Sequence, residues 1–156
     1  MNYQEYAENN LILKVLSGSR LYGIHNENSD YDWRGVFVAP LESKIGLIDN
    51  VEQVEYGTSD TVYYEIRKFF RLASDCNPNI LDLLHAPIDV YSILTHKGNI
   101  ILDHKHDFLS TRVRYTFGGY AYSQLSRMKN HHKWVVEYPH AGVVLDYLMQ
   151  WYDNGL

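Results

Sequence analysis

The sequence predicts an α/β (α+β) domain, a small mixed β-sheet with packed helices followed by a helical C-terminal part. Three observations carry that expectation. Apolar segments of strand length, bounded by turn residues, lie between Leu11 and Tyr64; the hydrophobic period changes to helical spacing at Ile66; and only helical signals follow Pro87. A chain of 156 residues can bury a core without staples, and no repeat, low-complexity tract or linker divides it. Residues 1–156 therefore read as one domain, with the sheet and its helices in 1–88 and the helical part in 89–156.

The run from Leu11 to Leu16, interrupted by Lys14, stops at Ser17-Gly18-Ser19 and reads as a buried strand ending in a tight turn. Arg20 to Ser29 is polar, and Gly23 with Asn26-Glu27-Asn28 marks a loop. Residues 31–38 read as a second strand closed by Ala39-Pro40, and 41–59 as a loop with a short strand around 51–56. Residues 60–64 are rich in β-formers and predict a third strand. Ile66, Phe69, Phe70 and Ala73 then fall at helical spacing, with Arg67, Lys68 and Arg71 on the solvated side, so an amphipathic helix runs to Ser74. Asn77 suits an N-cap and Pro78 the first helical position, ahead of the apolar face Ile80, Leu81 and Leu84. Two more helices are expected over 113–129 and 141–153.

Composition narrows the function classes. With 46% hydrophobic and 21% charged residues the chain is an ordinary globular protein, not a disordered one. A net charge of −5 excludes a generally basic nucleic-acid surface, so a polynucleotide partner needs a local patch such as Arg112, Arg114, Arg127 and Lys129. The 14 tyrosines fit many half-buried positions, with a base-stacking platform as the alternative. The single cysteine, Cys76, excludes an internal disulfide and fits a reducing compartment; with no signal-peptide pattern and no apolar stretch of membrane length, a cytoplasmic protein without membrane contact is expected. His104-x-His106 and His131-His132 lack a cysteine or a second pair at zinc spacing and read as surface or capping residues.

The stretch GSRLYGIHNENSDYDWRGVFV, residues 18–38, sets charges inside this strand framework. Residues two apart in a strand point to the same side, so Asp30 and Asp32 present their carboxylates together. Like charges that close raise each other's pKa unless a cation stands between them, and Mg²⁺ takes both carboxylate and phosphate oxygens. The plainer alternative is turn chemistry at Ser29-Asp30 with an ion pair between Asp32 and Arg34. Gly18-Ser19 adds a second feature. Glycine lets the backbone approach a phosphate, and free amides with the Ser19 hydroxyl form an anion cradle. A cradle beside paired carboxylates is a nucleotide site. Two competing motifs fail: Ile24-His25 stands where a Walker loop needs Lys and Ser/Thr, and no glycine lies two places after Ser19 to make a nucleophile elbow.

The segments GSRLYG, NSDYDWRGV, YYEIRKFFRLA and NPNILDLL, with the resemblance extending over roughly residues 11–135, resemble the DNA polymerase β-type nucleotidyltransferase superfamily, and within it the predicted nucleotidyltransferase branch associated with RNA repair operons. The resemblance implies that Gly18 and Ser19 contact the β/γ-phosphates of a nucleoside triphosphate, with ATP expected, and that Asp30 and Asp32 bind two Mg²⁺. It implies a later carboxylate on another strand. It also implies an acceptor hydroxyl, RNA and tRNA being among the candidates, and a chain that commonly continues past the last helix. Residues 130–134 are similar to a phage-type segment expected to shape the acceptor side.

Asp60 and Glu65 both flank the third strand, on opposite faces if it is regular. Asp60 is the preferred third catalytic and metal-binding carboxylate, because Glu65 at a strand-to-helix junction is explained by the helix dipole. Arg20 and Arg34 are near enough to contact phosphate or orient the aspartates, with surface ion pairing as the alternative for both. The expected function is Mg²⁺-dependent transfer of a nucleoside monophosphate from an NTP to a hydroxyl, with release of pyrophosphate. The alternatives are a non-catalytic nucleotide- or nucleic-acid-binding module of the same fold, and an antitoxin-like partner protein.

Overall fold

Leu11, Ile12, Leu13 and Val15 are buried, and the strand they form, β1 (Leu11–Ser17), stands inside the sheet with a neighbour on each side. The structure, a computed structural model, describes residues 2–46, 49–56 and 60–130, with side chains as far as Ser123. The expected helix over 141–153, the His131-His132 pair and residues 131–134 lie outside the described residues.

Seven α-helices and five strands make up the described chain. In order they are α1 (Tyr3–Asn9), β1, α2 (Gly18–Leu21), β2 (Asp32–Phe37), α3 (Leu41–Lys44), β3 (Gln53–Glu55), β4 (Val62–Glu65), α4 (Ile66–Ser74), α5 (Pro78–His85), β5 (Tyr91–Leu94), α6 (His96–Asp103) and α7 (Arg112–Asn130). The mixed sheet has the order β3-β4-β2-β1-β5. β1 runs antiparallel to β2 and β5, β3 runs antiparallel to β4, and β2 and β4 are parallel. The chain divides into two compact units, one ending at Phe108 and one beginning at Leu109.

Alternation along the strands, reset by an irregularity in the β1/β2 register between Leu11 and Leu13, sorts side chains to two faces. On one face Ala7 of α1 packs with Leu11, Phe37, Ala39, Val54 and Tyr63. Lys14 interrupts the apolar run of β1 at low cost, because its Nζ stands 4.8 Å from the Trp33 ring centre and 5.6 Å from that of Tyr63, and electron-rich ring faces attract a cation. On the other face Leu13, Val15 and Val36 are fully buried, while α4 and α5 supply Phe69, Ala73, Ile80, Leu83 and Leu84. Each of the larger side chains contributes about 1.5–3 kcal/mol of burial.

α4 covers the span its spacing predicts, and α5 begins as expected, with Pro78 at its start and the Asn77 side chain accepting from the Asn79 amide. The basic side of α4 does more than face water. Arg71 pairs with Glu52 at 3.1 Å and Arg67 donates to the Asn50 side chain at 2.9 Å, tying the helix to the chain that leads into β3.

Three elements depart from expectation. The polar start of the chain forms α1, capped by the Asn2 side chain, which accepts from the Gln4 and Glu5 amides. Only helices were expected after Pro87, yet Tyr91–Leu94 is strand β5, within the unit that ends at Phe108. Four residues carry too little alternation to announce a strand. β5 exists through its partner, with Ile93 opposite Lys14 and Leu94 opposite Leu13. Thr95 then locks the corner, its amide and hydroxyl both donating to the Ile12 carbonyl at 3.0 and 2.8 Å while its Oγ1 caps α6. Thirdly, β2 starts at Asp32 and β4 at Val62, so Asp30 and Asp60 precede their strands rather than lying within them. Strand alternation therefore does not by itself orient Asp30.

Among the described residues no helix is long and apolar enough to cross a membrane.

Gly35 sits in β2 where a Cβ would stand 2.8 Å from Tyr63 Cδ1, 2.9 Å from Leu11 Cδ2 and 3.2 Å from the Leu13 carbonyl. Tyr63 is fully packed there and cannot swing away. Gly35→Ala is expected to cost about 1–3 kcal/mol, read as a lower urea midpoint with an unchanged slope; an unchanged midpoint would mean that the Tyr63 ring has room to move.

Candidate functional site

The antiparallel register of β1 and β2 puts Ser17 opposite Asp32, so the chain leaving β1 passes directly over the start of β2. Gly18, the next residue, has φ +64, and a Cβ on it would lie 2.0 Å from Asp32 Oδ2. The position requires glycine twice over, once for its backbone angle and once because the Asp32 carboxylate occupies the space of a side chain. Gly18 and Ser19 open α2, a single turn closed by the Tyr22 amide to the Gly18 carbonyl and by the Ile24 amide to the Ser19 carbonyl at 3.0 Å.

The parallel register of β2 and β4 aligns Arg34 with Val62. Two residues earlier on both chains this brings Asp60 alongside Asp32. Arg34 Nη1 donates to the Asp60 carbonyl, fixing that approach. Arg20 does the same for the other flank: its Nε donates to the Asp30 carbonyl at 3.2 Å, its Nη2 to the Ser29 carbonyl at 2.8 Å, and its guanidinium lies 3.7 Å over the Tyr31 ring. The Asn26 and Ser29 side chains close the intervening loop, with Ser29 Oγ accepting from the Asn26 amide at 2.9 Å. Both arginines thus grip backbone carbonyls beside the aspartates. Among the described residues no ion pair joins Asp32 to Arg34.

The electrostatics follow. Burial pushes the Asp32 carboxyl above its ordinary value, Asp60 pushes it further, Arg34 pulls it back, and Asp30 adds to the rise. Three carboxylates therefore share one field without enough fixed positive charge to balance it, a donor set whose chemistry suits a hard divalent cation. The set is not closed on a single point. Among the described residues no three His, Cys, Asp or Glu side chains stand together closely enough to hold a metal ion.

Glu65 lies at the other end of the β2/β4 pair, opposite Phe37 and five residues along the strand from the level of Asp32, roughly 17 Å. It is 2% exposed. Its Oε2 accepts from the Arg67 amide at 2.9 Å as the N-cap of α4, and it is ion-paired with Lys44 and Arg67. Its charge is fully used in holding α3, β4 and α4 together.

Sequence reasoning passed over Tyr22 and Asp82. The Tyr22 hydroxyl donates to Asp82 Oδ2 at 2.5 Å across 60 positions of sequence, joining α5 to the end of α2. The available signal was Asp82 itself, a carboxylate set among the buried leucines of NILDLL. The open concavity lined by Tyr3, Glu52, Gln53 and Lys68 lies along the β3 edge, and none of the residues expected at the site borders it.

A family model, described as the RNA repair pathway DNA polymerase beta family, matches residues 2–149. The chain belongs to this family. It is accordingly a polymerase β-type nucleotidyltransferase-like protein, and the match extends beyond both ends of the segment in which the sequence motifs lie. Among curated relatives, an uncharacterized 38.9 kDa protein of Enterobacteria phage T4 is 32% identical over 130 residues, which are 74% of this chain and 38% of that protein. The uncharacterized protein YcgL of Bacillus subtilis is 32% identical over 88 residues, 54% of this chain and 34% of its own length. The chain thus spans little more than a third of the length of these relatives. No solved structure matches.

A pH-dependent consequence attaches to Asp32. Its carboxyl is raised in the folded protein, so the folded state holds that proton more tightly than the unfolded chain does. The stability it contributes is present below the ordinary value of 3.8 and is lost as pH rises through the higher folded-state value. Asp32→Asn removes the charge that the fold disfavours. Without added metal it is expected to melt higher than the parent protein at neutral pH, with the gain vanishing below about pH 3, where Asp32 is protonated in both states. A lower melting point at neutral pH would show that the carboxylate is a net structural contributor.

Proposed function

We propose that this member of the family transfers a nucleoside monophosphate from an NTP, with ATP as the first candidate, to a hydroxyl acceptor and releases pyrophosphate. The observation that supports this reading most is the contact of the Gly18 backbone with the Asp32 carboxylate, with Asp60 brought alongside from a separate strand. A backbone turn without side chains beside clustered carboxylates suits a polyphosphate held next to divalent metal. Asp30, Asp32 and Asp60 would hold Mg²⁺, which when bound supplies charge neutralisation on the phosphates and a lowered pKa for the acceptor hydroxyl.

The chain's own groups do the positioning. Gly18 lets the backbone lie directly against the Asp32 carboxylate, and Ser19 offers a hydroxyl and an amide to phosphate oxygens. Arg20 holds the Ser29 and Asp30 carbonyls, so the loop delivers the Asp30 carboxylate to a constant place, and Arg34 holds the Asp60 carbonyl to the same effect. These contacts favour a role for the two arginines in the framework of the carboxylates over direct grip on phosphate. The family's description as an RNA repair pathway family makes an RNA or tRNA hydroxyl the first acceptor to try.

One observation favours a second reading, a nucleotide-binding module without turnover: the three carboxylates do not close into a metal-holding group among the described residues. Incubation with α-labelled NTPs, Mg²⁺ and RNA or tRNA separates the two. Label transfer is expected. Asp30→Asn, Asp32→Asn and Asp60→Asn should each reduce it by a factor of about 10³ or more, and the Asp30/Asp32 double variant should be little worse than either single one, since groups acting on shared ions are not additive. Glu65→Gln should lower stability and leave turnover per folded molecule nearly intact. Full activity of Asp60→Asn with a dead Glu65→Gln protein would reverse the choice of third carboxylate, and nucleotide binding without label transfer to any acceptor would favour the binding module.

Gly18→Val tests the cradle separately. The new side chain meets the Asp32 carboxylate and an unfavourable backbone angle, so the turn must shift. The rise in melting temperature that MgATP gives the parent protein should be lost in the variant, while its far-UV circular dichroism stays native; an equal rise in both proteins would make the turn purely structural.

A further inference from the structure

The nucleotide turn is a single helical turn, and a helix of four residues has almost no stability of its own. Its place must be imposed from outside. At its start the restraint is visible, since Ser17 belongs to the β1/β2 ladder and Gly18 rests on Asp32. At its end stands Tyr22, the C-cap residue, whose amide donates to the Gly18 carbonyl. The Tyr22 ring is nearly half exposed and is therefore not held by packing alone. Its hydroxyl reaches Asp82 Oδ2 at 2.5 Å.

Asp82 is an unusual residue for the place it occupies. Ile80, Leu81, Leu83 and Leu84 of α5 are buried, and Asp82, set between them in the sequence, is partly buried. A carboxylate in that setting costs free energy, as the upward push of burial on its carboxyl shows, and the Tyr22 hydrogen bond offsets part of that cost. A leucine would suit the helix better. The carboxylate is explained if its task lies in gripping Tyr22 strongly, because a hydrogen bond to an ionised acceptor is about twice as strong as a neutral one.

We propose that Asp82 is a positioning residue for the nucleotide turn, acting through Tyr22 to set where the Gly18-Ser19 backbone stands over Asp32. The chain of contacts runs from Asp82 to the Tyr22 hydroxyl, from the Tyr22 amide to the Gly18 carbonyl, and from Gly18 to the Asp32 carboxylate. Asp82 touches neither substrate nor metal in this account. The inference rests on the nucleotidyltransferase reading for its functional consequence, while its structural half stands without it.

Amide hydrogen exchange on the whole chain, with and without MgATP, tests both halves for Tyr22→Phe, Asp82→Leu and Asp82→Asn. Tyr22→Phe keeps the ring and removes the hydroxyl. It is expected to speed exchange of the amides of residues 18–24 by about tenfold in the nucleotide-free protein and to raise the Kd for MgATP by a similar factor, with exchange in β1 and β2 unchanged. Asp82→Leu should behave alike, and Asp82→Asn, which keeps a neutral acceptor oxygen, should recover only part of the difference. Unchanged exchange over 18–24 in both Tyr22→Phe and Asp82→Leu would overturn the proposal, as would faster exchange spread evenly over the sheet. Faster local exchange in variants of a protein whose parent binds no NTP would uphold the tether and remove the nucleotide reading instead.

Discussion

The site depends on one alignment, the antiparallel pairing of β1 with β2 that sets Ser17 opposite Asp32. Everything else at this end of the sheet is referred to that pair. The turn after Ser17 falls on the carboxylate because the two strands end level, and it must be glycine because the carboxylate is already there. β4 adds Asp60 by joining the far side of β2 in parallel, which brings two strand starts together at one edge. A slip of one residue in the β1/β2 ladder would separate Asp32 from the Gly18 turn, and one in the β2/β4 ladder would separate it from Asp60.

Two buried or half-buried acids in this fold illustrate opposite uses of charge. Glu65 is deep, yet it is surrounded by Lys44, Arg67 and the first amides of α4, so its burial is compensated. Asp32 is shallower but faces Asp60 and Asp30, with the Arg34 guanidinium engaged at a carbonyl. The first arrangement holds three elements together. The second leaves negative field directed at whatever approaches the Gly18 turn, which is the property a cation-dependent phosphate site needs.

Much of this was legible in the sequence, and the losses have physical causes. β1, α4 and α5 were readable because their apolar spacing and caps are local signals, carried by Leu11 to Leu16, by Ile66, Phe69 and Ala73, and by Asn77-Pro78. β5 was not, since Tyr91 to Leu94 becomes a strand through β1 and through the Thr95 grip on Ile12, which are contacts between segments nearly 80 positions apart. At the site, Gly18 and Asp32 could be paired as motifs, but not their contact, which depends on strand register. Asp30 was credited with a strand geometry it does not have. Arg20 and Arg34 were recognised as neighbours of the aspartates, whereas their carbonyl partners needed coordinates. Asp82 was visible as a charge among leucines, but Tyr22, its partner, lies 60 positions away.

The parallel junction of β2 with β4 has a further consequence for the order in which the molecule assembles. β1 and β2 are separated by the 14 residues 18–31, fewer than separate β2 from β4, and can pair earlier, carrying Gly18, Asp30 and Asp32 into place together. β4 pairs antiparallel with β3, but it can meet β2 only after the whole stretch between Phe37 and Val62 has closed, a less local step with a larger entropic cost. The larger share of the carboxylate repulsion at Asp32, that from Asp60, is therefore absent while β1 and β2 pair and arises when β4 docks. A newly made chain can thus commit to its central strands with Asp60 still apart from Asp32, and the charge cost of the site falls on the docking of β4 rather than on the initial collapse.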